Sequence, residues 1–172
     1  MIESFGKYEK MRDISDPKSG MSSTDNDRFL RIWHEVSYNN IELFCNSSND
    51  SLLSKKQWYP FIKGGTNRKW YGNQDYIINW KHNGKDIRKF ISENPEKQVG
   101  GRIVNEDKFF KPSLSWSRIS SDKFSVRYYP SGFIFSDASN GAFPPVHIHE
   151  NILAFLNSKA CGEYLEFLSP NS

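Results

Sequence analysis

The 172-residue sequence predicts an α+β fold, an antiparallel sheet region followed by C-terminal helices. Three observations carry the prediction. Apolar and polar residues alternate between Ser113 and Asp137, the period of half-buried strands. From Asn151 to Leu168 the apolar spacing lengthens to three and four, the period of a helix face. Strands grouped ahead of terminal helices argue against alternating βαβ units and a parallel sheet.

Taken in order, "RFLRIWHEV" (Arg28 to Val36) fits two periods: extended, Leu30, Ile32 and Val36 share a side; helical, Phe29, Trp33 and Val36 line up. "CNSSNDS" (Cys45 to Ser51) is polar enough for an exposed loop between two sub-elements. "DYIINW" (Asp75 to Trp80) has strand composition and runs into His82-Asn83-Gly84, where Asn-Gly accepts the positive φ of a tight turn. "DIRKFI" then sets Ile87, Phe90 and Ile91 on one helical face, closed by Asn94-Pro95. Three short antiparallel strands are predicted next, from Leu114/Trp116, Phe124/Val126/Tyr128 and Phe133/Phe135. The last helical segment carries Ile152, Leu153, Phe155 and Leu156, then Tyr164, Leu165 and Leu168, with Gly162 expected to bend or split it.

The length suits one domain able to bury about two thirds of the surface its unfolded chain exposes. Cys45 and Cys161 match no metal or redox spacing and are too few for a disulfide framework, which points to a reduced compartment. No apolar run reaches the twenty or so residues of a membrane span, and the first residues lack signal-peptide regions. The expectation is a soluble, cytoplasmic chain with no membrane partner.

Net charge is +3, unevenly distributed. Residues 55–135 hold sixteen Lys/Arg against seven Asp/Glu, whereas residues 1–54 hold six against nine and residues 136–172 one against four. A basic middle between acidic flanks suggests a polyanionic partner. Within it, residues 55–81 interleave six Lys/Arg and one acid with seven rings: Trp58, Tyr59, Phe61, Trp70, Tyr71, Tyr76 and Trp80. Cations neutralise phosphates and rings or guanidinium planes stack on bases. Asn67 and Asn73 offer the donor-acceptor pair that matches adenine, and Arg grips guanine edges. Trp58, Phe61 and Trp80 fit a core better, which leaves Lys63, Arg68 and Lys69, beside Gly64-Gly65, as the stronger contact candidates.

Catalytic signals are sparse. His147-Ile148-His149, with Glu150 adjacent, would put two imidazoles on one face of a strand and is the pattern that could hold a metal for a small metal-dependent hydrolase. No Cys or carboxylate cluster completes a shell, so surface or structural histidines are expected and no metal is assigned. Gly64-Gly65 and Gly100-Gly101 lack the Gly-Lys-Ser/Thr ending of a phosphate loop and read as turns. No nucleophile elbow is present, and no catalytic residue is assigned.

Three stretches together resemble a known family: "GMSSTDNDRFLRIWHEV" (Gly20 to Val36), "KQWYPFIKGGTNRKWYGNQDYIINW" (Lys56 to Trp80) and "FKPSLSWSRISSDKFSVRYYPSGFIF" (Phe110 to Phe135). They are similar to the C-terminal part of PglX-type adenine-specific DNA methyltransferases of BREX phage-defence systems, to which Eco57I-like restriction-modification methylases are related. "NILAFLNSKACGEYLEFLSPN" resembles a helix of the same target-recognition regions, so the likeness runs from about residue 14 to 171. It implies a target-recognition-like domain over residues 1–172, cut from or remaining of a larger methyltransferase. Such enzymes pass a methyl group from S-adenosylmethionine to adenine through an Asn/Asp-Pro-Pro-Tyr/Phe motif. Here Asn94-Pro95 runs into Glu96, and Pro144-Pro145 leads to Val146. The resemblance therefore implies a module that is no enzyme on its own and binds no cofactor itself, S-adenosylmethionine belonging to the catalytic lobe. Its partners would be duplex DNA, that lobe and other defence-system subunits. The candidate DNA-binding set is Asn26, Arg28, Lys63, Asn67, Arg68, Lys69, Tyr71, Asn73 and Arg118. A protein-docking module is the other alternative, with exposed rings as its surface.

Overall fold

A computed structural model describes residues 9–95, 102–119 and 123–168. Its fold is α+β, with two four-stranded sheets and C-terminal helices. One sheet contains β1 (Lys18–Ser19), β5 (Ser113–Ser117), β6 (Arg127–Tyr129) and β8 (Ser139–Ala142), in the order β1-β8-β5-β6 and antiparallel throughout. The other contains β2 (Leu30–Ile32), β3 (Trp58–Ile62), β4 (Tyr76–Asn79) and β7 (Ile134–Phe135), in the order β2-β4-β3-β7. Among the described residues six α-helical segments and several 3₁₀ turns accompany them: α1 (Met11–Ser15), α2 (Asn26–Phe29), α3 (Ser48–Leu53), α4 (Lys81–Glu93), α5 (His149–Leu156) and α6 (Lys159–Leu168).

Of the three strands expected to be antiparallel, β5 and β6 pair so, with Leu114 opposite Tyr128. The third departs. β7 lies parallel to β3 in the other sheet, Phe61 opposite Ile134 and Ile62 opposite Phe135. Ile134 and Phe135 are both buried, so this strand has no solvent face to alternate with. Immediately after it the chain crosses into β8, whose Ser-Asn-Gly-Ala composition has no strand signature; its pairing with β5 and β1 is a tertiary product.

The ambiguity of "RFLRIWHEV" resolves as both readings in succession. Asp25 caps α2 by accepting from Arg28 N at 3.1 Å, and the chain becomes extended at Leu30 to pair with β4. The expected loop at Cys45 to Ser51 is half helix: Ser47 Oγ accepts from Asp50 N and starts α3, which buries Ser51. At His82, Asn83 and Gly84, φ is 51°, 56° and 73°, the left-handed turn that the Asn-Gly signal predicts. Beyond it Ile87 and Phe90 face the core with Ile91 packed beside them, and Asn94 closes α4 by donating its N–H to Phe90 O. The C-terminal segment breaks at Asn157-Ser158, not at Gly162, which lies within α6. There the Asn157 side chain bonds Val126 and Ser158 Oγ accepts from Cys161 N. The Gly100-Gly101 pair lies outside the described residues.

The main core joins the second sheet, Phe135 included, to α4 and to Phe109 and Phe110, with rings meeting edge to face, as Trp80 does with Phe109 at 5.5 Å. Trp58, Phe61 and Trp80 are buried, as their composition suggests. A smaller cluster of Leu114, Val126, Ala142 and Ile152 seats α5 on the first sheet. Gly20 lets the chain cross β7: a Cβ there would stand 2.0 Å from Phe135 O. Both cysteines are free and buried. Among the described residues no helix is long and apolar enough to cross a membrane.

Candidate nucleic-acid interface

Residues 63–75 connect β3 to β4 without regular structure, a length at which loops in compact folds are usually functional. The loop is fastened to the edge of the first sheet at many points. Ser117 Oγ donates to Gly65 O at 3.0 Å, and Asn67 Nδ2 donates to Lys123 O at 2.7 Å. Arg127 Nη1 donates to Arg68 O, and Lys69 Nζ donates to Asn157 O at 2.7 Å, capping the last turn of α5. Trp70 N donates to Val126 O and Trp70 O accepts from Tyr128 N, 2.9 Å each, so Trp70 adds one residue to the sheet beside β6. Tyr129 Oη donates to Gly72 O at 3.0 Å.

These contacts bring together two distant stretches that both carry cations. Lys63, Arg68 and Lys69 lie on the loop, while Arg118, Lys123 and Arg127 come from the segment that supports it. None of the six makes an ion pair with an acid among the described residues; the pairs there are elsewhere, such as Lys108 with Asp16 and Arg88 with Glu106. Arg68, Lys69 and Arg118 are exposed. So are Trp70, at 52%, and Tyr71, at 67%, two rings left uncovered beside uncompensated cations. Such a surface can neutralise phosphates and offer π faces to bases.

The predicted set does not form one cluster. Asn67, Arg68, Lys69, Tyr71 and Arg118 gather at the loop and its support. Lys63 turns aside, its Nζ 4.9 Å from the Tyr76 ring centroid, and lines an open cleft of about 340 Å³ with Asn26, Asp27, Arg31 and Glu35. That cleft mixes both signs of charge. Arg28 stacks over Phe29 and Phe90 at 5.2 and 5.1 Å, on the α4 side of the core. Asn73 is buried, has φ 55° and donates its amide to Thr66 O, so it closes the loop instead of facing a ligand. The glycines also serve the loop itself: a Cβ on Gly64 would stand 3.0 Å from Ala138 O, and one on Gly65 3.0 Å from the Asn73 amide.

The histidine pattern folds differently from its strand expectation. His147 sits in a 3₁₀ turn and His149 opens α5, so the two do not share a strand face. His149 is buried, donates from Nε2 to Pro144 O at 2.8 Å and meets Tyr128 edge-on, whereas His147 and Glu150 are exposed. Among the described residues no three His, Cys, Asp or Glu side chains converge as a metal site would require. The supports Ser117, Arg127, Tyr129 and Asn157 carried no sequence signal. In an alternating strand Arg127 belongs to the polar, solvent-facing set, whereas in the fold it is buried on a sheet face that also buries Ser115, its cross-strand partner, and Tyr129.

Two known proteins are similar to the chain over most of its length. Over 166 residues, 94% of the chain, it is 39% identical to the adenine-specific methyltransferase PglX of Lacticaseibacillus casei (strain Zhang). Over 137 residues, 77% of the chain, it is 35% identical to the adenine-specific methyltransferase BrxX of Escherichia coli O9:H4 (strain HS). Its relatives are adenine-specific methyltransferases. The chain spans 13% and 10% of their respective lengths. No family model matches it.

Proposed function

We propose that the chain is a DNA target-recognition module of a PglX-type adenine-specific methyltransferase of the phage-defence kind. It would hold duplex phosphates with Arg68, Lys69 and Arg118 and set Tyr71 and Trp70 against the nucleic acid. The observation that carries this is the gathering of cations without an acid partner among the described residues, from two distant stretches around one well-fastened loop, in a chain whose relatives are adenine-specific methyltransferases. Phosphate contacts fix register on the duplex, and base edges then meet side chains such as Asn67. Methyl transfer would belong to other parts of such an enzyme. The glycine pair after β3 is packed against Ala138 and Asn73, which does not fit an S-adenosylmethionine cradle.

The test is titration of a short mixed-sequence duplex across a salt series. Binding weakens with salt in the wild type, and Arg68→Ala and Arg118→Ala each lower the slope of log K against log salt by about 0.9 per phosphate contact removed. Equal affinity and slope for wild type and the double variant would refute the interface. A second role, docking against another part of a methyltransferase chain, is favoured by α6. Its stripe Cys161, Leu165, Leu168 is buried only at Cys161, with Leu168 61% and the adjacent Phe167 74% exposed.

A further inference from the structure

Arg127 lies in β6 beneath the 63–75 loop and is completely buried. A guanidinium stays charged inside a protein, and burying one without a carboxylate is costly. None of the ion pairs among the described residues includes it. Its Nη1 donates to Arg68 O at 3.4 Å, its Nη2 to Ser117 Oγ at 3.3 Å, and its Nε has no partner. If only volume were needed under the loop, an apolar side chain would fill it with less electrostatic penalty.

The surroundings indicate what the charge is for. Residues on either side of Arg127 bond the backbone of Trp70, so the loop is fixed alongside β6 at the residue that carries the guanidinium. Ser117 Oγ accepts from Arg127 and passes the contact on by donating to Gly65 O. The loop carbonyls at Gly65 and Arg68 therefore answer to one buried cation. Two residues further along the same strand, Tyr129 donates to the carbonyls of Gly72 and Asn73 and fixes the loop's far end. A carboxylate here would satisfy Arg127 but cancel its field; carbonyl and hydroxyl dipoles satisfy part of it and leave the net charge standing.

We propose that Arg127 is the positioning residue of the 63–75 loop: its guanidinium holds the backbone at Gly65 and Arg68 so that Arg68 and Tyr71 project outward in one arrangement. Its charge, uncompensated inside the protein, adds to the potential that a phosphodiester backbone meets there. The inference rests on the DNA-binding role proposed above, and the two are separable by experiment.

Arg127→Met removes both the hydrogen bonds and the charge; Arg127→Lys keeps the charge but cannot span both acceptors as a guanidinium fork does. Amide hydrogen exchange is measured on the full chain over residues 64–73, alongside duplex titration at several salt concentrations. Arg127→Met is expected to speed loop exchange about tenfold, as loss of one or two buried hydrogen bonds does, with the β3 and β5 amides unchanged. Arg127→Lys speeds it less. Both weaken duplex binding, Arg127→Met more, while the salt slope stays at the wild-type value because Arg127 touches no phosphate; Arg68→Ala lowers that slope. Unchanged loop exchange in folded Arg127→Met overturns the positioning role, as does a slope in Arg127→Lys reduced as far as in Arg68→Ala. If Arg127→Met does not fold, Arg127→Lys and Ser117→Ala are judged by the same criteria. A loosened loop with undiminished duplex affinity would leave the clamp in place and remove the DNA assignment instead.

Discussion

Asn157 joins the end of α5 to the edge of the first sheet by imitating a β-strand. Its Oδ1 accepts from Val126 N at 3.0 Å and its Nδ2 donates to Val126 O at 2.8 Å, while its own carbonyl accepts from Lys69. Truncation in Asn157→Ala removes both side-chain bonds. Val126 O keeps its bond from Trp70 N, but Val126 N–H is left without a partner at a residue with no exposed surface. Two net hydrogen-bond contributions of about 1 kcal/mol, with one stranded buried donor, give an expected loss of about 2–3 kcal/mol. For a chain of this size that lowers Tm by about 5–10 °C. Urea unfolding of wild type and variant gives the quantity directly, as a shift in midpoint at constant m. Asn157→Asp is the control: it keeps the acceptor but opposes an oxygen to Val126 O, so it loses at least as much. A loss below about 0.5 kcal/mol for Asn157→Ala, the range of an ordinary surface change, would refute the ladder and with it the seat of Lys69.

Gly20→Ala should destabilise by about 2 kcal/mol or more, because its Cβ would meet the Phe135 carbonyl at 2.0 Å and neither backbone can yield cheaply; thermal melting measures it. Burial pushes the Cys45 thiol up to about 11, so the thiol stays protonated at neutral pH and reacts with a thiol reagent far more slowly in folded than in unfolded protein. Because the folded value lies above the ordinary one of 9.0, Cys45 stabilises fully below pH 9.0 and that contribution is lost as pH rises toward about 11. Replacement by Ala should flatten that part of the stability profile. Lys69→Ala should cost stability, about 0.5–1 kcal/mol from the lost helix cap, as well as duplex affinity, whereas Arg68→Ala, whose side chain rests over Gly72 without a hydrogen bond or ion pair among the described residues, should affect mainly binding.

Much of the architecture was legible because it depends on local chemistry. Asn83-Gly84 announced a left-handed turn since few other pairs tolerate positive φ, and Ile87, Phe90 and Ile91 announced a helix face because side-chain direction follows the backbone period. The strand partners were not legible. Ile134 and Phe135 sit in a short apolar run whose burial on both faces leaves no alternation to reveal a parallel neighbour, and Ser139 to Ala142 become a strand only because β1 and β5 flank them. Of the candidate site, Arg68, Lys69 and Tyr71 could be picked out from the basic-aromatic block. Asn73 could not be told from a ligand-facing residue, since its burial depends on how the loop folds back to Thr66.

By itself, then, the sequence determined the succession of local elements and the excess of cations in its middle third, because propensity and charge belong to residues and need no partner. Tertiary structure alone decided which cations share a surface, and that Arg127 lies under the loop while Arg68 lies on it. Those outcomes come from hydrogen bonds between stretches some fifty to ninety residues apart, as between Arg68 and Arg127 or Lys69 and Asn157, and no local pattern encodes a contact whose two halves are chosen by the closing of separate sheets.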